Sequence, residues 1–169
     1  ACFGAAGPIL DEKAQVTNLD WAVDGRRLRT VFRWECVQLI NDLEAVAYSL
    51  PILGKEDLHP INAGKPVKNG CQAVLSPGTG LGEAFLTFDA GTCHAHPSEG
   101  GHASFSPTDA QQVGLLTYLK ILGHQHVSFE RVCSGGLGIP NLYAYLKTTR
   151  LDEPAWLAGQ ISTIYLPWL

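Results

Sequence analysis

Three glycines and one threonine lie between two apolar runs, in the segment SPGTGLGEAFLTF at residues 76–88. Glycine costs backbone entropy inside a strand or helix, so this cluster indicates a tight turn or the close approach of another group. No Lys-Ser or Lys-Thr pair follows, which excludes a Walker A loop, and a strand is predicted next, which excludes a dinucleotide fingerprint. Either the glycines form an ordinary hairpin turn, or Gly78, Thr79 and Gly80 present backbone donors and a hydroxyl to a phosphate.

Asp42 follows a predicted strand and precedes LEAVAYSLP, a helical pattern that Pro51 is expected to end. Sites in open α/β sheets lie at the carboxyl ends of strands. A carboxylate there can accept the proton of a hydroxyl nucleophile, a role worth about 10²–10⁴ in rate. Asn and Asp are also the favoured caps of helices, so Asn41 and Asp42 have a structural interpretation beside the chemical one.

The segment HAHPSEGGH at residues 94–102 holds four side chains of types that bind transition metals: His94, His96, Glu99 and His102. Alternatively, Glu99 and His102 form a polar hook around the Gly-Gly pair and hydrogen-bond a polyol, while His94 and His96 are surface residues. Glu130 has the same ambiguity. An acidic residue suits the start of its predicted helix, and in another context it is a ligand.

The elements that must position these residues alternate between strands and helices. Short apolar runs predict strands at residues 16–21, 28–34, 36–40, 72–75 and 83–88. Helices are predicted to begin near Ser106, Ser128 and Pro140. This pattern indicates an α/β fold, and we expect a mixed sheet because the glycine loop joins its flanking strands as a hairpin.

Composition excludes several classes of protein. Of 169 residues, 46% are hydrophobic and 17% charged, as in globular proteins. The net charge of −4 argues against a nucleic-acid surface. No apolar run reaches the roughly 18 residues of a membrane span, and no basic signal-peptide start is present, so we expect a cytoplasmic protein with no membrane partner. Five cysteines without a C-x-x-C pair fit reduced thiols.

Four motifs, in this order and spacing, resemble bacterial-type glucokinase, a family of the sugar kinase, actin and heat-shock ATPase superfamily. They are LINDLEAVAYSLP (39–51), SPGTGLGEAF (76–85), PSEGGHASFSP (97–107) and SFERVCSGGLGIPNLY (128–143). The resemblance implies an actin-like ATPase (ribonuclease H-like) fold. Residues 1–52 would then belong to a small α/β lobe, and residues 53–169 would form the first part of a large one.

The resemblance also implies transfer of the γ-phosphoryl group of ATP to the 6-hydroxyl of glucose, with Mg²⁺ arriving on the nucleotide and no dedicated metal site. Asp42 matches the family's catalytic base, and Asn41 matches a ligand of a sugar hydroxyl. The remaining matches are sugar ligands at Glu99, His102 and Glu130, and the second phosphate-binding loop at Gly78, Thr79 and Gly80.

Parts of the family pattern have no counterpart in this sequence: the first phosphate loop, Asp-x-Gly-Gly-Thr, and the C-terminal adenosine-binding segment. The chain also lacks methionine and ends on ISTIYLPWL, which does not resemble the family. We therefore expect a fragment with an incomplete two-lobed architecture. Alone, it should be weak or inactive, and its uncovered apolar surface should favour a homo-oligomer.

Two alternatives remain open at this stage. A non-catalytic sugar-binding or regulatory module would share the fold and use Asp42 differently. A metalloenzyme would use the four side chains of residues 94–102.

Overall fold

The computed structural model describes residues 1–16, 19–149 and 153–157, so the ISTIYLPWL segment lies outside the described residues. The strands are β1 (Cys2–Ala5), β2 (Ile9–Leu10), β3 (Lys13–Gln15), β4 (Ala22–Asp24), β5 (Gln38–Asn41), β6 (Gln72–Pro77), β7 (Leu81–Asp89) and β8 (Thr92–Ser98). The helices are α1 (Gly25–Phe32), α2 (Asp42–Ser49), α3 (Ala110–Ile121), α4 (Glu130–Cys133) and α5 (Gly138–Thr149). Within the described ranges, no helix is long and apolar enough to cross a membrane.

The chain folds as two compact units, one formed by Ala1–Leu75 with Glu83–Ser98 and the other by Ser76–Gly82 with Glu99–Leu169. The glycine loop therefore belongs to the second unit. These units divide the chain at other positions than the expected lobes, residues 1–52 and 53–169, and the lobe assignment stays a prediction.

Parallel and antiparallel strands of the first unit lie in separate sheets. Strands β1 and β5 pair in parallel and end together, with Ala5 opposite Asn41. Strands β2, β3 and β4 form an antiparallel sheet. Ala5, Ala14 and Leu39 form the buried core between these elements. The carboxyl ends of the parallel pair meet at Asn41, immediately before Asp42.

The prediction of a strand over residues 28–34 is wrong, because this stretch is largely helix α1. Asp24 caps the helix and accepts a hydrogen bond from the N–H of Arg26 (3.0 Å). The guanidinium groups of Arg26 and Arg29 lie 2.7 and 2.8 Å from the Glu12 carboxylate, and they hold the pKa of Glu12 below its ordinary value. The Asp24 cap marks the start of a helix where the apolar residues alone suggested a strand.

The predicted hairpin around the glycine loop is present, and β7 is the central strand of an antiparallel sheet ordered β6, β7, β8. Ala84, Leu86 and Ala95 lie on one face of this sheet and form a buried cluster with Ala47 of α2. Strand β8 was not predicted, because its two histidines suggested ligands rather than the outer positions of a strand. The packing of Ala47 against this sheet holds α2 in place.

The second unit is helical around one apolar cluster, formed by Leu115, Leu119, Val127 and Val132. The helix predicted to begin near Ser106 is α3, which begins at Ala110 because Asp109 is its cap, accepting from Gln112 N–H at 2.8 Å. The helix predicted to begin near Ser128 is α4, which begins at Glu130 and has no side-chain cap.

Candidate active site

His102 lies between two carboxylates. Its Nδ1 is 3.3 Å from Glu130 Oε2, and its Nε2 is 3.5 Å from Glu99 Oε2. The side chains of Glu99 and His102 are largely exposed, at 79% and 63%, whereas that of Glu130 is only 21% exposed. The structure thus brings together three side chains that the sequence places in two separate motifs. We name them the His102 cluster.

Main-chain pairing explains why these residues meet. The segments 103–105 and 127–129 run antiparallel and exchange hydrogen bonds of 2.9 and 3.0 Å. His102 immediately precedes the first segment, and Glu130 immediately follows the second as the first residue of α4. These hydrogen bonds therefore fix the backbone that follows His102 and the backbone that precedes Glu130.

The glycine loop adjoins the His102 cluster within the second unit. A β-carbon on Gly80 would stand 2.5 Å from Glu130 Oε1. A β-carbon on the buried Gly101 would overlap the carbonyl oxygen of Leu81, the first residue of β7. The Leu81 oxygen is a backbone atom that cannot move aside, so position 101 requires glycine, whereas Glu130 Oε1 ends a flexible side chain that lies in the space Gly80 leaves. The structure therefore joins the predicted phosphate loop, residues 78–80, to the predicted sugar ligands.

A second glycine segment, Ser134-Gly135-Gly136, contacts the same loop. The N–H groups of Gly135 and Gly136 donate to the Gly78 carbonyl oxygen at 2.8 and 3.2 Å. A β-carbon on Gly136 would stand 2.5 Å from Thr79 O. From the sequence alone, these glycines are expected only to end the helix that begins near Ser128. The sequence does show a second glycine cluster shortly after Glu130, a predicted ligand. No neighbouring residue indicates that this cluster contacts the loop 78–80.

In the first unit, Asn41 takes the capping role that the sequence left open between Asn41 and Asp42. Asn41 Oδ1 accepts from the N–H groups of Leu43 (2.9 Å) and Glu44 (3.3 Å), and its Nδ2 donates to Gly7 O (3.2 Å). Glu44 completes a capping box. Asn41 is thus the cap. Asp42 Oδ1 accepts only from Leu43 N–H (2.9 Å), and within the described ranges Asp42 forms no ion pair.

Asp42 stands where the two parallel strands end. Since β1 and β5 finish opposite each other, the first residue of α2 lies at their carboxyl edge, the usual position of sites in open α/β sheets. Gly4 lets the helix approach β1, because a β-carbon there would be 3.3 Å from Ala45 Cβ. Asp42 and Asn41 belong to the first unit and the His102 cluster to the second, so their joint action stays a prediction.

The two histidines of β8 occupy ordinary strand positions. His96 Nε2 lies 2.9 Å from Thr87 Oγ1, and its ring stacks on Phe85 at 4.9 Å. His94 is exposed opposite Thr87. Among the residues that the structure describes, no group of three or more His, Cys, Asp or Glu is placed to hold a metal ion. This geometry does not favour the metalloenzyme alternative.

Comparison with known proteins gives a consistent result. A family model described as glucokinase matches residues 1–165. A glucokinase of Nostoc punctiforme is 42% identical over 149 residues, covering 87% of this chain and 43% of the relative. A glucokinase of a Nostoc sp. is 41% identical over 170 residues, covering 99% and 48%. The chain thus spans about half the length of the curated relatives it matches.

A crystal structure of glucokinase from an Antarctic psychrotroph resembles this chain with a TM-score of 0.79 at 32% identity, covering 96% of this chain and 51% of that one. The structure of a Balamuthia mandrillaris glucokinase in complex with glucose has a TM-score of 0.64 at 24% identity and covers 96% and 52%, a likeness of fold. These likenesses confirm the predicted α/β, actin-like fold class.

Proposed function

Because the chain belongs to the glucokinase family, we propose that it carries the sugar site and one phosphate-binding loop of an enzyme that transfers the γ-phosphoryl group of ATP to the 6-hydroxyl of glucose. One observation carries this proposal: the His102 cluster and the loop 78–80 adjoin within a single compact unit. A polyol and an anion can therefore bind side by side.

The His102 cluster suits a neutral ligand rich in hydroxyl groups. Carboxylates accept hydrogen bonds from hydroxyls, and an imidazole can donate or accept, so alternating partners hold a ring at fixed angles. Glu99 and His102 are exposed enough to meet such a ligand, and Glu130 is held beneath them. Asn41, although a cap, keeps one amide hydrogen for a sugar hydroxyl.

The loop 78–80 suits a transferring phosphoryl group. Within the described part of the chain, Thr79 N–H has no hydrogen-bond partner, and Thr79 is exposed. Free backbone donors beside glycines form anion sites, and phosphoryl transfer is catalysed mainly by positioning and charge stabilisation. Mg²⁺ would arrive with ATP, since it is usually held by phosphates and few carboxylates.

Asp42 would act as general base. Its carboxylate takes the proton of the glucose 6-hydroxyl while that oxygen forms a bond to the γ-phosphorus. The bond from the γ-phosphorus to the β,γ-bridging oxygen breaks, and ADP leaves with the electron pair. The support is that capping falls to Asn41, so Asp42 keeps one carboxylate oxygen without a partner among the described residues.

A coupled assay of ADP formation in the full-length protein tests the function, and glucose calorimetry tests the sugar site. Full-length protein should phosphorylate glucose, and His102→Gln should weaken glucose binding by about 3–10-fold, the value of one hydrogen bond. His94→Gln, an exposed histidine on β8, is the matched control and should bind normally. The 169-residue chain alone should be weak or inactive.

Three results would count against the proposal. They are a full-length protein without glucose-dependent ADP formation, equal glucose affinity in both histidine variants, and stoichiometric zinc, iron or manganese in the purified protein. The last would instead favour the metalloenzyme. Robust phosphorylation by the 169-residue chain would contradict the expectation that it lacks the main nucleotide anchors.

A further inference from the structure

The Ser134-Gly135-Gly136 segment is held rigidly at both ends. Ser134 is fully buried, its N–H donates to Glu130 O at 3.1 Å, and its Oγ accepts from the N–H groups of Leu137 and Gly138, both at 3.1 Å. These hydrogen bonds therefore fix the position of the segment between α4 and α5. It begins one helical turn after Glu130, a member of the His102 cluster.

This segment determines the orientation of one peptide group in the loop 78–80. Gly135 and Gly136 both donate to the carbonyl oxygen of Gly78, at 2.8 and 3.2 Å. In a planar trans peptide, the C=O of one residue and the N–H of the next point in opposite directions. Fixing Gly78 O toward the segment therefore turns Thr79 N–H to the opposite side, where it has no partner among the described residues.

Contact with neighbouring backbone, and not a backbone angle, favours glycine at both positions, most strongly at position 136. A β-carbon on Gly136 would stand 2.5 Å from Thr79 O and 3.1 Å from Thr79 Cα, and one on Gly135 would stand 3.0 Å from Gly78 O. These neighbours are backbone atoms, which cannot swing aside as a side chain can. Neither glycine has a positive φ. Alanine at position 136 would therefore displace the loop rather than strain the segment itself.

We propose that Gly135 and Gly136 are positioning residues for phosphoryl transfer: they aim the N–H of Thr79 at the transferring phosphoryl group by fixing the carbonyl of Gly78. This inference rests on the proposed function. It adds a specific role for a pair of residues whose contacts are with the backbone of the loop 78–80.

The test is Gly136→Ala in the full-length protein, with Gly64→Ala as the matched control, because a β-carbon on Gly64 meets no atom within 4 Å. The expected result for Gly136→Ala is a loss of about 10²-fold in kcat/KM for ATP, the scale of a ~1 Å misplacement. The dissociation constant for glucose should change less than about twofold, since the His102 cluster keeps its contacts. Gly64→Ala should match the wild type in both.

The comparison of kcat/KM for ATP with the dissociation constant for glucose distinguishes a positioning role from a merely structural one. A merely structural role would lower kcat/KM for ATP and the affinity for glucose in parallel, or would lower only the melting temperature. Either result overturns the inference, as does an unchanged kcat/KM for ATP. If Gly136→Ala does not fold, Gly135→Ala, with its milder contact, takes its place under the same criteria. Wild-type protein without activity refutes the proposed function, whereas active wild type with an unaffected variant refutes this inference alone.

Discussion

Glu130 Oε1 lies where Gly80 leaves room for it, 2.5 Å from the point at which a β-carbon would stand, while Glu130 Oε2 lies 3.3 Å from His102 Nδ1. One carboxylate therefore links the predicted phosphate loop to the predicted sugar ligands. The family predicted from four motifs is confirmed, and this carboxylate gives a physical reason why three of those motifs occur together.

Gly80→Ala should push the Glu130 carboxylate away from Gly80 and weaken its contact with His102. Because the displaced atoms end a flexible side chain, we expect little change in melting temperature. Glucose affinity should fall by about 3–10-fold, the value of one hydrogen bond. Calorimetric titration with glucose measures this effect, with Gly64→Ala as the control. Unchanged affinity for glucose would show that Glu130 does not need this space.

Gly78→Ala tests a glycine whose added β-carbon would have no protein neighbour, in contrast to Gly80. A β-carbon on Gly78 meets no atom of the protein within 4 Å, and its φ is not positive, so the fold itself does not require glycine there. If a phosphoryl group approaches this surface, a methyl group would hold it off, and kcat/KM for ATP should fall on the order of 10²-fold with unchanged stability. Steady-state kinetics at saturating glucose measure this. Wild-type kinetics would mean that no phosphate approaches Gly78.

Glu12→Gln tests the ion pairs between Glu12 and α1. The guanidinium groups of Arg26 and Arg29 hold the pKa of Glu12 below its ordinary value, so their stabilising effect is present above the unfolded pKa and is lost as pH falls through the folded one. The variant should melt below wild type at pH 7, and the gap should shrink at pH values below about 4.3. Glu35→Gln, exposed on the surface, is the control. A gap that is constant with pH would contradict this assignment.

Local signals predicted the elements that carry the candidate site. The junction at Asn41 and Asp42 was predictable because a cap, an apolar strand and a helical pattern are adjacent in sequence. The hairpin around Thr79 was predictable because a glycine cluster between two apolar runs indicates a tight turn. Resemblance to a family, rather than periodicity, identified Glu99, His102 and Glu130 as members of one site.

Features that depend on distant residues were missed. Helix α1 is capped by Asp24 and paired with Glu12, both of which lie before the stretch read as a strand. Strand β8 was hidden because His94 and His96 suggest chemistry, although they occupy the outer face of a strand. The contact of Gly136 with Thr79 joins residues far apart in sequence, and no local pattern reveals such a contact.

The most direct measurement is the rate of glucose-dependent ADP formation by full-length Asp42→Asn. Asparagine keeps the acceptor for Leu43 N–H but cannot take a proton, so turnover should fall by about 10²–10⁴-fold, with glucose affinity changed less than about threefold. Glu44→Gln, in the same helical turn, keeps its capping oxygen and should retain activity. Wild-type turnover by Asp42→Asn would contradict its role as the base and would leave a protein that binds sugar without using this carboxylate.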